Sequence, residues 1–450
     1  MSVASKLAVF FVATSPKDLP ATVVEHAKIA VANTIASAAA GSDKVSAAIV
    51  RKLVKERGGP GEATIWFDPG PKVYVSDAAR ANAMMSDAAA SDDSHMKCYA
   101  HPGTIAVSTA IAVGERVGAS GKDVLCAITL GYEAAGRIGE RISPVFLKRG
   151  IHNCIISVFG GAVATGKLLG LTSEQMTQAI ALAATSMGGL RIATNSHARE
   201  YHAGISAMQG INAALAALNG YTIDEHILEA RSGFFETYGS NVDIEAITRS
   251  LGEDWDIVTD MALKLIPGVH GMHALVEAAI LAAKAGNVMP KEVERITVAG
   301  SPFLKTVYAH LHPQDFPGMI HSLSFYMALC VAEKEFAWDS ISLRKLNDPV
   351  LRSLQEKVRL ELVPGRTAAD YPRGGTVTIT TKDGRSYSHT VDWPRGSPQR
   401  GIEWSDVDAK YRALVPRSEL PQDRIEQGLR LIHRFDNVAN VSELTALLSA

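Results

Sequence analysis

The chain is organised around the stretch Ser91-Asp92-Asp93-Ser94-His95-Met96-Lys97-Cys98-Tyr99-Ala100-His101-Pro102-Gly103-Thr104, which separates two Ala-rich segments. Pro102-Gly103 turns the chain, and Thr104 can cap the helix that we predict over residues 105–117. His101 would then precede a helix N-terminus, where unpaired backbone N–H groups favour an anion. The stretch therefore predicts a site that suits a carboxylate. Alternatively, Asp92, Asp93 and Ser94 could only cap or solvate a loop, with His95 and His101 on the surface.

Composition limits the class of protein. The chain has 450 residues, 47% of them hydrophobic, which is typical of a globular protein with two or three domains. The formal net charge is -2 and basic residues do not cluster, so we expect neither nucleic acid nor a membrane as partner. The four cysteines form no Cys-x-x-Cys motif, and neither a signal peptide nor a bilayer-spanning stretch is evident, which predicts a cytoplasmic protein.

Apolar residues at three- and four-residue intervals predict helices through the first half of the chain. One such pattern runs from Val23 to Ala40, and a capping box at Thr172 opens a helix that runs to Ser186. Further helices are predicted over residues 46–57, 76–89, 105–117, 123–142, 156–169 and 206–219. Glycines such as Gly131 and Gly160 suit close helix packing, because no nucleotide-binding glycine motif is present.

Strand patterns begin after Lys264-Leu265-Ile266-Pro267. Residues 294–298, 358–363, 376–381 and 387–391 are strand candidates, and Asp383-Gly384 predicts a hairpin turn between the last two. We therefore expect a smaller α+β domain over residues 267–400. The chain then returns to predicted helices over residues 404–414, 423–434 and 441–449, which can pack back on the first domain.

Motifs for metal or nucleophilic catalysis are weak. The candidate histidine pairs are His95/His101, His270/His273 and His310/His312. None has the His-Glu-x-x-His spacing or a nearby pair of cysteine ligands, and no Gly-x-Ser-x-Gly motif occurs. We therefore predict no resident metal and no cofactor, with a zinc hydrolase as a minor alternative.

General acid–base chemistry on a carboxylate fits these residues better. Proton removal beside a carboxylate, or loss of CO2, builds negative charge, whereas a leaving hydroxyl needs a proton. Histidine can serve both needs near neutral pH. The candidate proton carriers are His101, His152, His202, His270 and His273. The candidate carboxylate-binding cations are Arg191, Arg199 and Lys264, and each of these residues could equally have a structural role.

The chain resembles the MmgE/PrpD family over most of its length. The resemblance rests on Asp92-Asp93-Ser94 with His101-Pro102-Gly103, on Gly150-Ile151-His152, on Tyr201-His202-Ala203-Gly204, on residues 264–273 and on residues 394–398. It implies a mainly α, metal-independent enzyme, usually a homodimer. A large all-helical domain would comprise residues 1–266 and 401–450, and residues 267–400 would form a smaller α+β lid.

The resemblance also implies roles for individual residues. His101 and His152 would be the acid–base pair, Arg199 and Lys264 the carboxylate holders, and Asp92 or Asp93 the group that orients an imidazole. The expected catalytic set is His101, His152, Asp93 and Lys264. The expected substrate-binding set is Asp92, Ser94, His95, Arg191, Arg199, His202, His270 and His273.

Three departures from the family pattern affect the expected reaction. Ala90 replaces an aspartate, Arg199 replaces a lysine, and Phe325 stands where a tyrosine is expected, with Tyr326 next to it. The predicted function is dehydration of a 2-methylcitrate-like hydroxy acid. Decarboxylation of the cis-aconitate type and epimerisation of the iminodisuccinate type share a carbanion-like step and remain alternatives. Ala90 and Phe325 motivate a further alternative, a carboxylate-binding protein without activity.

Overall fold

A computed structural model describes residues 1–143, 145–308, 311–361, 367, 371 and 373–449. About 60% of the chain is helical and 8% is strand, so the predicted mainly α fold class is confirmed. Two compact units are present: a helical unit, Met1–Leu263 with Trp404–Ala450, and an α/β unit, Lys264–Glu403. Within the described ranges, no helix combines the length and apolarity needed to cross a membrane.

The α-helices are α1 Val3–Ala13, α2 Ala21–Gly41, α3 Val45–Arg57, α4 Val75–Ala88, α5 Pro102–Val117, α6 Gly121–Ile142, α7 Val145–Lys148, α8 Cys154–Leu168, α9 Ser173–Ala184, α10 Ala198–Leu218, α11 Phe234–Tyr238, α12 Asp256–Thr259, α13 His273–Ala285, α14 Leu304–Tyr308, α15 Phe316–Ile320, α16 Leu323–Glu333, α17 Pro349–Gln355, α18 Trp404–Leu414, α19 Gln422–His433 and α20 Ser442–Leu448. The strands are β1 Asp93–His95, β2 Met261–Leu263, β3 Val293–Gly300, β4 Val358–Leu360, β5 Gly375–Thr381 and β6 Ser386–Val391.

Small residues allow the long helices of the helical unit to pack closely. Helix α8 lies against α5, α6 and α10, and α4 lies against α2 and α10. A Cβ atom on Gly131 of α6 would lie 2.6 Å from the carbonyl oxygen of Gly160 in α8. The same atom on Gly210 of α10 would lie 2.8 Å from the Cα of Gly161. The predicted packing role of these glycines is therefore confirmed.

Helix α10 begins earlier than predicted. The sequence predicts a polar loop over residues 195–201 and a helix from residue 206, whereas α10 begins at Ala198. Arg199 and His202 therefore lie on its first turn, three residues apart on one helix face. The polar side chains obscured the helix because the apolar periodicity begins only after them.

A short antiparallel ladder that the sequence did not predict joins β1 to β2. Asp93 pairs with Leu263, Ser94 with Ala262, and His95 with Met261. Three-residue strands are too short to produce a recognisable alternation, and the two partners are far apart in the sequence.

The α/β unit contains a four-stranded sheet in the order β4-β3-β5-β6. Strand β3 is parallel to β4 and antiparallel to β5, which forms a hairpin with β6. Gly384 adopts φ 87° in the turn, which confirms the predicted Asp383-Gly384 hairpin. Of the strand predicted over residues 358–363, β4 covers Val358–Leu360, and residues 362–363 lie outside the described residues.

We predict that Gly210→Ala destabilises the protein by about 1–3 kcal/mol, because the added methyl meets the α8 backbone, which cannot rotate away. The free energy of unfolding from urea titration followed by circular dichroism measures the effect. Gly188→Ala is the matched control, since a Cβ atom there meets nothing within 4 Å. Equal stability of the two variants would contradict the packing role of Gly210.

Candidate active site

The polar loop, residues 91–101, is largely buried inside the helical unit. Asp92 and Asp93 are 0% exposed and His95 is 1% exposed, so a solvated loop with His95 on the surface is wrong, whereas the capping role that the same alternative allowed is found for Asp93. Two non-glycine residues in the left-handed region flank the loop core, Ala90 with φ 50° and Tyr99 with φ 60°. Such strained residues occur often at functional sites.

The carboxylate of Asp93 caps helix α5. Its Oδ2 accepts hydrogen bonds from the N–H of Gly103 at 3.0 Å and the hydroxyl of Tyr132 at 3.0 Å, and its Oδ1 accepts the N–H of Thr104 at 3.2 Å. The predicted Thr104 cap is therefore wrong, because α5 begins at Pro102 and Thr104 lies inside it. The same N–H groups were expected to favour a substrate anion, but Asp93 occupies them. Burial raises the pKa of Asp93, and the charge of Asp92 adds to the rise.

His101 forms a dyad with Asp92. Its Nδ1 lies 2.6 Å from the carbonyl oxygen of Asp93 and 3.1 Å from Oδ2 of Asp92. A carbonyl oxygen only accepts, so Nδ1 carries a proton and Nε2 is the nitrogen that can exchange one. The ring is 25% exposed, so Nε2 can be reached. This geometry suits a general acid or base.

Arg199 lies beside the dyad and pairs with Asp87 of α4. Its Nε donates to Oδ2 of Asp87 at 2.9 Å, and its Nη2 donates to the Asp87 carbonyl. Burial disfavours the guanidinium charge, but Asp87, Glu200 and Asp92 together raise the pKa of Arg199. One ligand atom each from Asp87, Asp92 and His101 lie within 4.8 Å of one another. A permanent cation thus adjoins the proton-exchanging imidazole.

His152 and His202 form a second pair of imidazoles, with ring centroids 4.8 Å apart. A short antiparallel bridge positions His152, whose N–H donates to the carbonyl of Gly189 at 3.0 Å. Its Nδ1 accepts the N–H of Cys154 at 3.3 Å, so the proton of the neutral ring is on Nε2. Burial lowers the pKa of His152, and the charges of His202, His101 and Arg199 lower it further. Burial also lowers the pKa of His202. Both rings are therefore neutral at neutral pH.

His95 is held away from this group in a structural position. Its Nδ1 accepts the N–H groups of Lys97 and Cys98, each at 3.3 Å, and its Nε2 lies 3.2 Å from Oδ2 of Asp256. The ring also stacks on Tyr132. Both nitrogens are engaged, so the predicted substrate contact at His95 has no ring atom available in this structure.

The remaining predicted residues are distributed over both units. Ser94 is buried in β1, and Arg191 adjoins the His152 segment, where its Nη1 donates to the carbonyl of Leu147 at 3.3 Å. Lys264, His270 and His273 belong to the α/β unit. There the rings of His270 and His273 lie edge to face, with centroids 4.9 Å apart.

Tyr326 follows the position at which the family pattern has a tyrosine, and its hydroxyl group makes a structural contact. Phe325 and Tyr326 are both 0% exposed, and the Tyr326 hydroxyl donates to the carbonyl of Pro267 at 2.7 Å. This bond fixes the turn that follows Lys264. Burial raises the pKa of Tyr326 well above its ordinary value, so the hydroxyl stays protonated.

Sequence reasoning missed Asp87, Tyr132 and Lys410. The ammonium of Lys410 in α18 donates to the carbonyl of Ser91 and to Oδ1 of Asn33. A signal was present, because Lys410 lies on the buried face that Val407, Tyr411 and Leu414 define. A lysine on the apolar face of a helix requires a buried acceptor. The sequence alone did not indicate that this acceptor was the polar loop.

The structure thus defines a mainly helical protein with a buried histidine–carboxylate cluster, which comprises Asp87, Asp92, His101, His152, Arg199 and His202. Residues 5–246 match the family model for the MmgE/PrpD N-terminal domain, and residues 267–432 match the model for the C-terminal domain. The chain belongs to the MmgE/PrpD family, which confirms the resemblance.

Several curated relatives are named cis-aconitate decarboxylase. Human cis-aconitate decarboxylase is 24% identical over 398 residues, covering 86% of this chain and 82% of that protein. The mouse cis-aconitate decarboxylase is 25% identical over 399 residues, covering 86% of this chain and 81% of the mouse protein. The cis-aconitate decarboxylase of Aspergillus terreus is 26% identical over 476 residues, covering 96% and 93%.

We predict that Lys410→Met destabilises the protein by about 1–3 kcal/mol, because the Ser91 carbonyl and the Asn33 side chain each lose a buried donor. Chemical unfolding followed by tryptophan fluorescence measures the loss. The control is Lys122→Met on the exposed surface of α6, for which we expect almost no change. A Lys410→Met protein as stable as the control would show that the buried ammonium does not hold the loop.

Proposed function

We propose that the protein is a lyase that acts on a small di- or tricarboxylate by histidine-based acid–base chemistry, and that its reaction is decarboxylation of a cis-aconitate-like acid. The observation that carries the proposal is the His101–Asp92 dyad beside the buried guanidinium of Arg199. The sequence favoured dehydration first. The names of the relatives favour the decarboxylase alternative instead.

The proton balance of each reaction bears on this choice. Loss of CO2 from the saturated carbon of such an acid leaves a carbanion that is delocalised over the double bond into a second carboxylate. One proton added at the far carbon then gives a methylene acid, so the net reaction consumes one proton and releases one CO2. Dehydration instead removes one proton from carbon and donates another to the leaving hydroxyl.

The tautomers in the cluster suit the one-proton reaction. His101 exchanges its proton at Nε2, and the Asp92 carboxylate stabilises the imidazolium that donates it. His152 is neutral with its proton on Nε2, so it is a hydrogen-bond donor to a carboxylate and not a ready base. The His101–Asp92 dyad can thus supply the one proton that decarboxylation consumes, which supports the decarboxylation proposal.

Cations hold the substrate in this proposal. The guanidinium of Arg199 uses Nε and Nη2 on Asp87, which leaves its Nη1 edge for a substrate carboxylate. Lys264 is the second carboxylate holder that the family resemblance implies. Neither role requires a resident metal ion, so we propose that turnover is metal-independent.

We predict that the protein converts cis-aconitate in D2O containing EDTA to a product with two terminal vinyl proton signals in NMR. Because the single added proton comes from solvent through His101, the saturated methylene of the product should carry one deuterium. New signals of an olefin from hydroxy acids, a vinyl proton from citrate or a methyl group on a double bond from 2-methylcitrate, would support dehydration instead. Absence of turnover on every acid of a citrate-like and succinate-like panel would contradict the lyase proposal.

We predict that His101→Ala lowers kcat by about 100-fold or more, since the proton donor is lost. The matched control is His226→Ala, because His226 also adjoins a carboxylate, Glu229 at 3.2 Å, but is exposed outside the cluster. Steady-state kinetics of both variants, with circular dichroism to verify folding, measures the difference. Near-normal kcat in folded His101→Ala would exclude His101 as the proton donor.

A further inference from the structure

A thiol and two imidazoles converge beside the dyad. One ligand atom each from His152, Cys154 and His202 lie within 4.8 Å of one another. The Nδ1 of His202 is buried, and no residue that the structure describes hydrogen-bonds to it. The thiol of Cys154 makes only long contacts, 3.9 Å to the carbonyls of His152 and Gly188. Among the described residues, few strong hydrogen bonds would therefore compete with a ligand for these atoms.

Gly189 lies against all three side chains. A Cβ atom on Gly189 would lie 2.6 Å from the sulfur of Cys154, 3.2 Å from Cβ of His152 and 3.3 Å from Cε1 of His202. Glycine at this position therefore leaves a recess that any other residue would fill. Its φ lies outside the left-handed region, so backbone strain does not explain the glycine.

We propose that His152, Cys154 and His202 form a binding site for a divalent transition-metal ion such as Zn²⁺ or Co²⁺, with the fourth position open. Zinc takes imidazole nitrogen at about 2.0–2.1 Å and thiolate sulfur at about 2.3 Å, in tetrahedral geometry. In a tetrahedral site with those bond lengths the ligand atoms lie about 3.3–3.8 Å from one another, so the three side chains must draw together when the ion binds. On binding, the Cys154 thiol loses its proton to solvent and its sulfur bonds the ion, so one proton is released per ion.

The neighbouring polar groups are not equivalent sites. His95, Glu140, Asp256 and Asp260 also converge, but the ammonium of Lys97 lies 2.7 Å from Asp260 and 3.1 Å from Glu140. The protein thus supplies its own cation to that acidic group. Imidazole and thiolate together select borderline and soft metals over Mg²⁺ or Ca²⁺, so the His152–Cys154–His202 site differs in chemistry as well.

The proposed function gives this site a regulatory consequence. If His152 donates to the substrate as proposed above, an ion bound to His152 and His202 removes that donor and inhibits turnover. The ion would act as an inhibitor and not as a cofactor, which agrees with metal-independent turnover. This consequence rests on the proposed function, whereas binding of the ion does not.

A cobalt titration of the EDTA-treated and dialysed protein tests binding without any substrate. A thiolate-to-cobalt charge-transfer band in the near ultraviolet should appear in the wild type and in Cys126→Ser, which removes another buried thiol of the helical unit. The band should be absent in Cys154→Ser and in Cys154→Ala. Two variants are used so that the test remains valid if one of them does not fold. No band in the wild type, or an unchanged band in either folded Cys154 variant, would overturn the site.

A histidine variant tests the nitrogen ligands in the same titration. Loss of an outer-shell partner alone costs roughly 10- to 100-fold in metal affinity, so His202→Asn, which removes a direct ligand, should weaken Co²⁺ binding by at least about 100-fold. Affinity equal to that of the wild type would exclude His202 as a ligand.

Zinc inhibition tests the regulatory consequence. Cys154→Ser should turn over at the wild-type rate without metal and require at least about tenfold more Zn²⁺ for half inhibition. Equal sensitivity of Cys154→Ser and the wild type would overturn the inhibitory role. A protein that binds Co²⁺ through Cys154 but turns over no acid would refute the proposed function and leave the metal site supported.

Discussion

The arrangement of the site depends on one buried carboxylate, that of Asp93. An isolated buried charge is very costly, and here two backbone N–H groups of α5 and the Tyr132 hydroxyl compensate for the lost water. Gly103 is required for this approach, since a Cβ atom there would lie 2.8 Å from Oδ1 of Asp93. The cap fixes the backbone of Asp93, whose carbonyl in turn holds Nδ1 of His101. Asp93 therefore positions the imidazole of His101, and both of its own carboxylate oxygens accept hydrogen bonds from the protein.

Pairing of charged side chains determines the electrostatic environment of the cluster. Asp92 faces the imidazole of His101, and Asp87 faces the guanidinium of Arg199, so both carboxylates have a partner within hydrogen-bond distance. Removing either partner would leave an uncompensated buried charge, which is strongly destabilising. The neutral imidazoles of His152 and His202 add donors without adding charge. An anionic substrate thus meets fixed cations and dipoles instead of having to recruit them, which is the condition for electrostatic stabilisation of a developing carbanion.

Much of the fold could be predicted from the sequence, because helix periodicity and the Asp383-Gly384 turn are local signals. The polar loop was also recognisable, since so many reactive side chains in one interval are unusual. The burial of this loop could not be predicted, because it depends on segments far along the chain. Strand β1, for example, pairs with a strand more than 160 residues later. The choice of Asp93 over Thr104 as the cap of α5 follows from that pairing. Likewise, the sequence gives no reason for His95, only six residues before His101, to have a structural role.

Helix α18, from the C-terminal part of the helical unit, contacts the polar loop directly. The carbonyl of Ser91 accepts from Ser37 in α2 and from Lys410 in α18, which together use both of its lone pairs. Ser91 immediately precedes the Asp92-Asp93 pair, so a shift of the loop by one residue would break this contact and the cap at once. The ammonium of Lys410 is itself buried, and its hydrogen bonds to the loop and to Asn33 help to offset its desolvation. The contacts of Ser91 with Ser37 and Lys410 therefore favour one register of the loop, the register in which α18 packs against α2.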